Sequence, residues 1–256
     1  MKVAIVTGAA QGIGFRTAEV LAIAGYSIAL LDLKSCEATA AAVHTLGAKT
    51  KEFIGDISDE AHVTQTIEAI HKRWGRIDVL VNNAGISFIA PAETVSAPDF
   101  RRVLEINLVA PFLLARAAGT IMLEQRAGSI INIASIAGLT GIADRSAYNA
   151  SKHGLIGLTR TLAAEWGGRG VRTNAVCPGW VKTEMDHADQ ARGTYTNGDI
   201  TGRIPMARFA TPDDIARAVL FLADPAQSGF INGHSLTVDG GWTADGSWLS
   251  LRMSHR

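Results

Sequence analysis

Seven short apolar runs, separated by longer amphipathic stretches, constrain this chain more than any other feature of it. The runs are Val3–Val6, Ser27–Leu31, Thr50–Ile54, Asp78–Val81, Ser129–Ile133, Val171–Val176 and Ser235–Val238. Each is short and apolar almost throughout, as parallel strands covered on both faces must be. Between them, Ile13–Ala24, Glu37–Leu46, Glu60–Trp74, Ala97–Leu123, Tyr148–Trp166 and Thr211–Leu222 carry helical periodicity. Ser58-Asp59 and Thr211-Pro212 supply helix-start chemistry, the second with proline at the first helical position. This alternation predicts an α/β fold, a doubly wound parallel sheet of about seven strands with helices on both faces. No internal repeat, linker or change of composition divides the 256 residues, so a single domain over 1–256 is expected.

Composition narrows the function. Apolar residues at 47% and charged residues at 19% exclude a disordered chain. Lys plus Arg number 24 against 24 Asp plus Glu, leaving no basic excess for a phosphate backbone, so no nucleic-acid partner is expected. Two cysteines, Cys36 and Cys177, exclude a disulfide scaffold or a cysteine-rich zinc ribbon and point to a reduced, cytoplasmic setting. Four apolar residues at Val3–Val6 are too few for a signal-peptide core. The most apolar stretch, Leu108–Leu123, is interrupted by Pro111, Arg116 and Gly119, so no membrane partner is expected.

After the first strand comes Thr7-Gly8-Ala9-Ala10-Gln11-Gly12-Ile13-Gly14, which opens the first helix. Glycines there let the backbone turn tightly and let a pyrophosphate approach the helix N-terminus, whose free N–H groups and dipole favour an anion. Asp32, eighteen residues beyond Gly14, closes the second strand. A carboxylate there accepts hydrogen bonds from both adenosine-ribose hydroxyls and repels a 2′-phosphate. Gln11 places no cation in the turn, whereas Lys34 stands close by. NAD is favoured over NADP.

Tyr148-Asn149-Ala150-Ser151-Lys152 sets a phenol and an ammonium four residues apart, on one helix face. A free tyrosine titrates near pH 10, too high for a base at neutrality, and a fixed cation nearby lowers that value. Ser135, just past a strand, is placed to donate a hydrogen bond to a substrate oxygen. Seven scattered histidines, with no His-Glu-x-x-His and no Cys-x-x-Cys, predict no metal.

Taken together, Thr7-Gly8-x-x-x-Gly12-x-Gly14, Asn82-Asn83-Ala84-Gly85, Ser135, Tyr148-x-x-x-Lys152 and Pro178-Gly179 resemble the short-chain dehydrogenase/reductase family, a Rossmann-like fold, over roughly residues 2 to 242. The resemblance implies that Tyr148 is the general acid/base and that Lys152 lowers its pKa and holds the nicotinamide ribose. It implies that Ser135 orients the substrate oxygen and that Asn107 holds a proton-relay water. Gly8, Gln11, Gly12, Ile13 and Gly14 would surround the pyrophosphate, Asp56 and Ile57 the adenine, and Asn83, Ala84 and Gly85 the adenosine side. Pro178, Gly179, Val181 and Thr183 would embrace the carboxamide, while Ser87, Phe88, Arg145 and Trp180 would border the substrate. A homotetramer through helix contacts is the implied assembly.

A lid is expected over about 184–210, its polar part Glu184–Arg203 following a strand as active-site lids do. A variable surface loop is the plainer alternative. Its polar residues favour a polyol, a sugar or another small hydroxylated substrate, oxidised reversibly with NAD. A 3-oxoacyl-thioester reductase and a catalytically silent NAD-sensing protein are the alternatives. Residues 243–256 extend past Asp239-Gly240-Gly241-Trp242 and form either a frayed tail or a segment in which Trp248 and Leu249 pack onto a neighbouring subunit.

Overall fold

The computed structural model describes residues 2–184 and 195–247. Its strands are β1 Lys2–Thr7, β2 Tyr26–Asp32, β3 Thr50–Ile54, β4 Val79–Asn82, β5 Gly128–Ile133, β6 Val171–Pro178 and β7 Ser235–Val238. All pair in parallel, in the order β3-β2-β1-β4-β5-β6-β7. Each of the seven predicted runs lies at one of these strands, with ends shifted by at most two residues.

The helices are α1 Gly12–Ile23, α2 Glu37–Thr45, α3 Glu60–Trp74, α4 Ala97–Leu104, α5 Ala110–Gln125, α6 Ser146–Trp166, α7 Asn197–Thr201 and α8 Pro212–Ala223, followed by a four-residue turn of helix, α9 Pro225–Ser228. Strand alternation divides the core between them. Ala4 and Val6 pack with α1, α2 and α8, whereas Val3 and Ile5 pack with α3, α5 and α6. The expected helix starts are present. Asp59 accepts from the N–H groups of Ala61 and His62, and Thr211 and Asp214 form a reciprocal capping box. Arg16 on α1 pairs with Asp213 on α8 at 2.7 Å, tying the two helices of one face together.

Two segments depart from the sequence expectations. Ala97–Leu123 is helical, but its middle widens into a π-turn, Glu105–Val109, in which the Ala110 N–H bonds to the carbonyl of Glu105. Pro111 has no N–H to return to Asn107, so the wider turn absorbs the proline without ending the helix. Pro111, Arg116 and Gly119 therefore do not interrupt it. Ala97–Gln125 runs for 29 residues and is long and apolar enough to cross a membrane by length and composition, yet its most apolar window is 50% buried within the fold.

The expected polar lid contains a short helix. Thr196 and Asp199 cap α7, and Ile200 and Ile204 are buried beneath it. Asp186, His187, Asp189 and Arg192 lie outside the described residues, as do Trp248 and Leu249. The described part of the C-terminal extension is tied down. Asp239 accepts from the N–H groups of Gly241 and Thr243, at 2.9 and 2.8 Å. Arg203 pairs with Asp245 at 3.2 Å and covers the Trp242 ring at 5.0 Å.

From β1 the sheet grows in both directions, through β2 on one side and β4 on the other. At such a reversal the loops beyond the carboxyl ends of the strands diverge and leave a crevice.

Candidate active site

That crevice is a cleft of about 500 Å³ bordered by the segments following β1, β2, β4, β5 and β6. At one end lies the glycine turn. Gly8 and Gly12 hold φ of 63° and 57°, a region unfavourable to side chains. A Cβ on Gly8 would fall 2.9 Å from the Cα of Ala84, so glycine is what lets β4 approach the turn. A Cβ on Gly14 would fall 2.0 Å from the Gly8 carbonyl oxygen. Gly14 thus packs α1 against the turn and, unlike the other turn residues expected here, does not line the cleft.

Asn83 holds this turn in place. Its side-chain amide donates to the carbonyls of Thr7 and Gly8 at 2.9 and 3.2 Å. The Thr7 hydroxyl accepts the N–H groups of Asn83 and Ala84, each at 3.0 Å. No side chain caps α1, and its first turn carries no acid, so its N-terminal N–H groups suit an anionic ligand. Glu184 reaches over this point, its Oε2 lying 3.3 Å from where a Gly12 Cβ would stand.

Asp32 is fixed by one backbone bond to each oxygen, from Ala10 N–H and Lys34 N–H, both at 2.9 Å. Each oxygen keeps acceptor capacity for a ribose hydroxyl. Asp56 accepts from the hydroxyl and N–H of Ser58, which hold its carboxyl below the usual range, and Arg102 and His62 add to the effect. Beside them Ile57 is buried, while Leu33 is 65% exposed along the same wall. A glycine cradle, an uncapped helix N-terminus and a fixed acid one strand away fit an adenine dinucleotide.

The other end carries the reactive groups. Ser135 follows β5 and caps a 3-10 turn, Ile136–Gly138, by accepting from Ala137 N–H at 3.1 Å. Tyr148 and Lys152 project from α6 into the same cleft. Lys152 Nζ donates to the Ile133 carbonyl at 2.7 Å and lies 5.6 Å from the Tyr148 ring centroid. Burial pulls the Lys152 ammonium down to about 8.

Asn107 stands in the π-turn, fully buried behind the cleft wall. Its amide donates to the Ile86 carbonyl at 2.9 Å and to Ser151 Oγ at 3.1 Å, and its oxygen accepts the Ile86 N–H at 2.9 Å. A Cβ on Gly85 would sit 3.1 Å from the Asn107 oxygen and 3.7 Å from Lys152 Nζ, so both side chains approach the backbone at this one glycine.

Pro178, Gly179, Trp180, Val181 and Thr183 form the wall leaving β6. A bridge between Val181 and Ala210 steadies it. Of the residues predicted for catalysis and cofactor, all but Gly14 and Asn107 line this one cleft, joined by Ser87, Arg145 and Trp180 but not Phe88. Arg102 and Ile106 join the lining with no local motif to announce them, because topology alone brings α4 and its π-turn to this edge, while Leu33 joins it from the end of β2 and Ile142 from the loop before α6. Cys177 is buried, and burial raises its thiol to about 11, which suits packing rather than attack. Among the described residues no group of three or more His, Cys, Asp or Glu is placed to hold a metal ion.

A family model described as enoyl-(acyl carrier protein) reductase matches residues 8–243. The chain is 44% identical over 246 residues to a D-threitol dehydrogenase of Mycolicibacterium smegmatis, covering 94% of this chain and 93% of that protein. The crystal structure of levodione reductase superposes with a TM-score of 0.92 at 36% identity, covering 95% of this chain and 98% of that one. A structure assigned as an NAD(P)-dependent gluconate 5-dehydrogenase from Beutenbergia cavernae, with bound NADP, gives 0.88 at 40% identity, covering 95% and 97%.

Proposed function

This chain belongs to the short-chain dehydrogenase/reductase family, and we propose that it moves hydride reversibly between NAD(H) and the carbinol carbon of a small hydroxylated substrate, of the polyol or sugar class. It is an oxidoreductase of CH–OH groups. The observation that carries the reading is the joining of the Tyr148–Lys152–Ser135 set to the glycine cradle in one continuous cleft.

The nicotinamide ring, when bound, supplies the hydride acceptor or donor. Everything else falls to side chains of this chain. Tyr148 takes the proton from the alcohol oxygen during oxidation and returns it during reduction. Lys152, held by the Ile133 carbonyl, keeps a positive charge beside the phenol and so favours the phenolate. Ser135 donates to the substrate oxygen and steadies the alkoxide that develops. Asn107 fixes the Ile86 backbone and Ser151, and through them the ground on which Lys152 stands, in addition to its expected hold on a relay water.

NAD is favoured by the Asp32 carboxylate, which would confront a 2′-phosphate. The gluconate 5-dehydrogenase structure holds NADP, so the choice between the two cofactors is what the panel below must decide. Support for the substrate class comes from the names of relatives, one a D-threitol dehydrogenase and one a structure assigned as a gluconate 5-dehydrogenase. The lid contributes less than its composition implies. Asp199 is engaged in the α7 cap, and Asn197 accepts from Lys182 at 2.8 Å.

A second reading, 3-oxoacyl-thioester reduction, draws on the description of the matching family model. Asp32 counts against it, since reductive biosynthesis usually draws on NADPH. A silent NAD-sensing protein is opposed by the complete proton-transfer set. NADH fluorescence against polyols, sugars, hydroxy acids and acetoacetyl thioesters, with both cofactors and in both directions, separates the three. We carry forward a cytoplasmic homotetramer as the expected form, with α5 and α6 as contact helices, and sedimentation tests the assembly.

A further inference from the structure

We propose that Glu184 limits how tightly the cleft holds its dinucleotide, because its carboxylate stands beside the glycine turn that receives the pyrophosphate and repels that group. This rests on the adenine-dinucleotide reading of the cleft and extends it to cofactor affinity.

Two opposite walls meet at this point. One is the start of α1, which has no side-chain cap and no acid in its first turn. The Phe15 N–H returns to the Gln11 carbonyl at 3.1 Å, so the N–H groups of Gly12, Ile13 and Gly14 precede that bond. A helix start leaves such groups for a ligand, and its dipole favours an anion there.

The other wall is the segment leaving β6. It is pinned to the chain before α8: Val181 bridges Ala210, the Ala210 N–H donates to the Trp180 carbonyl at 2.9 Å, and the Lys182 N–H donates to the Ala210 carbonyl at 3.2 Å. Two residues past Lys182, Glu184 Oε2 lies 3.3 Å from where a Cβ on Gly12 would stand, and Thr183 Cγ2 lies 3.5 Å from the same point. A side chain at position 12 would crowd both, so the glycine is what brings this carboxylate to the turn. Gly12, Thr183 and Glu184 all line the cleft. The neighbouring cation is engaged elsewhere, Lys182 Nζ donating to Asn197 at 2.8 Å and lying 4.4 Å from the Phe209 ring centroid. No ion pair between described residues includes Glu184.

A carboxylate near a helix N-terminus is favourable while the site is empty of other anions. Once a pyrophosphate takes the first-turn N–H groups, the same carboxylate faces its negative charges. An acid within α1 would hold this conflict in place permanently. Glu184 is exposed and comes from the opposite wall, so the repulsion is partial and partly screened. One unit charge a few ångströms from an anion near a protein surface changes its binding by roughly three- to tenfold. An enzyme that must release its cofactor after each turnover gains from such a limit.

The test is calorimetric titration with ADP and with NADH of wild type, Glu184→Gln and Glu184→Asp. Glu184→Gln should bind both ligands roughly three- to tenfold more tightly than wild type. Glu184→Asp, which keeps the charge on a shorter arm, should gain less. The advantage of Glu184→Gln should shrink as salt is raised from about 0.05 M to about 0.5 M, as repulsion between charges requires. Weaker binding by Glu184→Gln, an equal gain in Glu184→Asp, or an advantage that salt leaves unchanged would overturn the proposal. Wild type and Glu184→Gln that bind ADP equally would sink this proposal alone. ADP and NADH bound by neither protein would sink the dinucleotide reading and this proposal with it.

Discussion

The ammonium of Lys152 donates to the carbonyl oxygen of Ile133 across 2.7 Å, joining the N-terminal third of α6 to the last residue of β5. The bond anchors the charge that the mechanism needs behind Tyr148. It also keeps the lysine in a setting dry enough to draw its pKa down to about 8.

That burial has a stability consequence with a definite sign. In the cofactor-free protein Lys152 titrates near 8 when folded and near 10.5 when unfolded. Between those values the unfolded chain binds more protons, so this residue's contribution to stability rises with pH through the window and is lost as pH falls through 8. Urea unfolding of wild type and Lys152→Met across that range isolates it. The wild-type minus variant difference should rise by up to roughly 3 kcal/mol. A flat or falling difference would show that the folded lysine is not desolvated.

Asn107 is expected to matter first as a clasp. Its amide satisfies both polar groups of the Ile86 backbone and reaches Ser151. Asn107→Ala leaves those groups without their partner and should cost about 1–3 kcal/mol in denaturant unfolding. Turnover should fall more than NADH affinity. A loss under about 0.5 kcal/mol would remove the clasp from the account.

Asp32 is expected to govern the choice of cofactor. Wild type should favour NAD over NADP by more than threefold in kcat/KM, and Asp32→Ser should shift that ratio at least tenfold toward NADP. Removing the carboxylate removes its repulsion of the 2′-phosphate and leaves Lys34 beside the site. A threefold or smaller preference in wild type would contradict the assignment.

The C-terminal extension should act on the lid. Truncation after Trp242 deletes Thr243 and Asp245, and with them contacts of Asp239 and Arg203. Arg203 lies two residues past α7, so KM for the alcohol should rise. Unchanged KM together with unchanged oligomer mass would eliminate a functional role for the extension.

The strands and the site were legible for one reason. Buried parallel strands read as short apolar runs, and the glycine turn, Asp32 and the Tyr148–Lys152 pair sit at fixed offsets from them. What escaped was set by tertiary geometry. The π-turn around Asn107 comes from a proline inside an otherwise regular helical pattern, and periodicity registers such a proline only as a break. Arg102 and Ile106 reach the cleft because of where α4 lies, not because of any neighbour in sequence. Helix α7 is a single capped turn, too short to show a period, although Thr196 and Asp199 carry its cap in plain view.

The most direct test of the central claim is turnover of the best alcohol found in an NADH-fluorescence panel, compared between wild type and Tyr148→Phe. The phenylalanine keeps the ring and removes the proton-transferring oxygen. Turnover should fall by roughly 10²–10⁴-fold, with NADH affinity within threefold of wild type. A variant that retains more than a tenth of wild-type turnover would contradict proton transfer by Tyr148, and with it the mechanism proposed for this cleft.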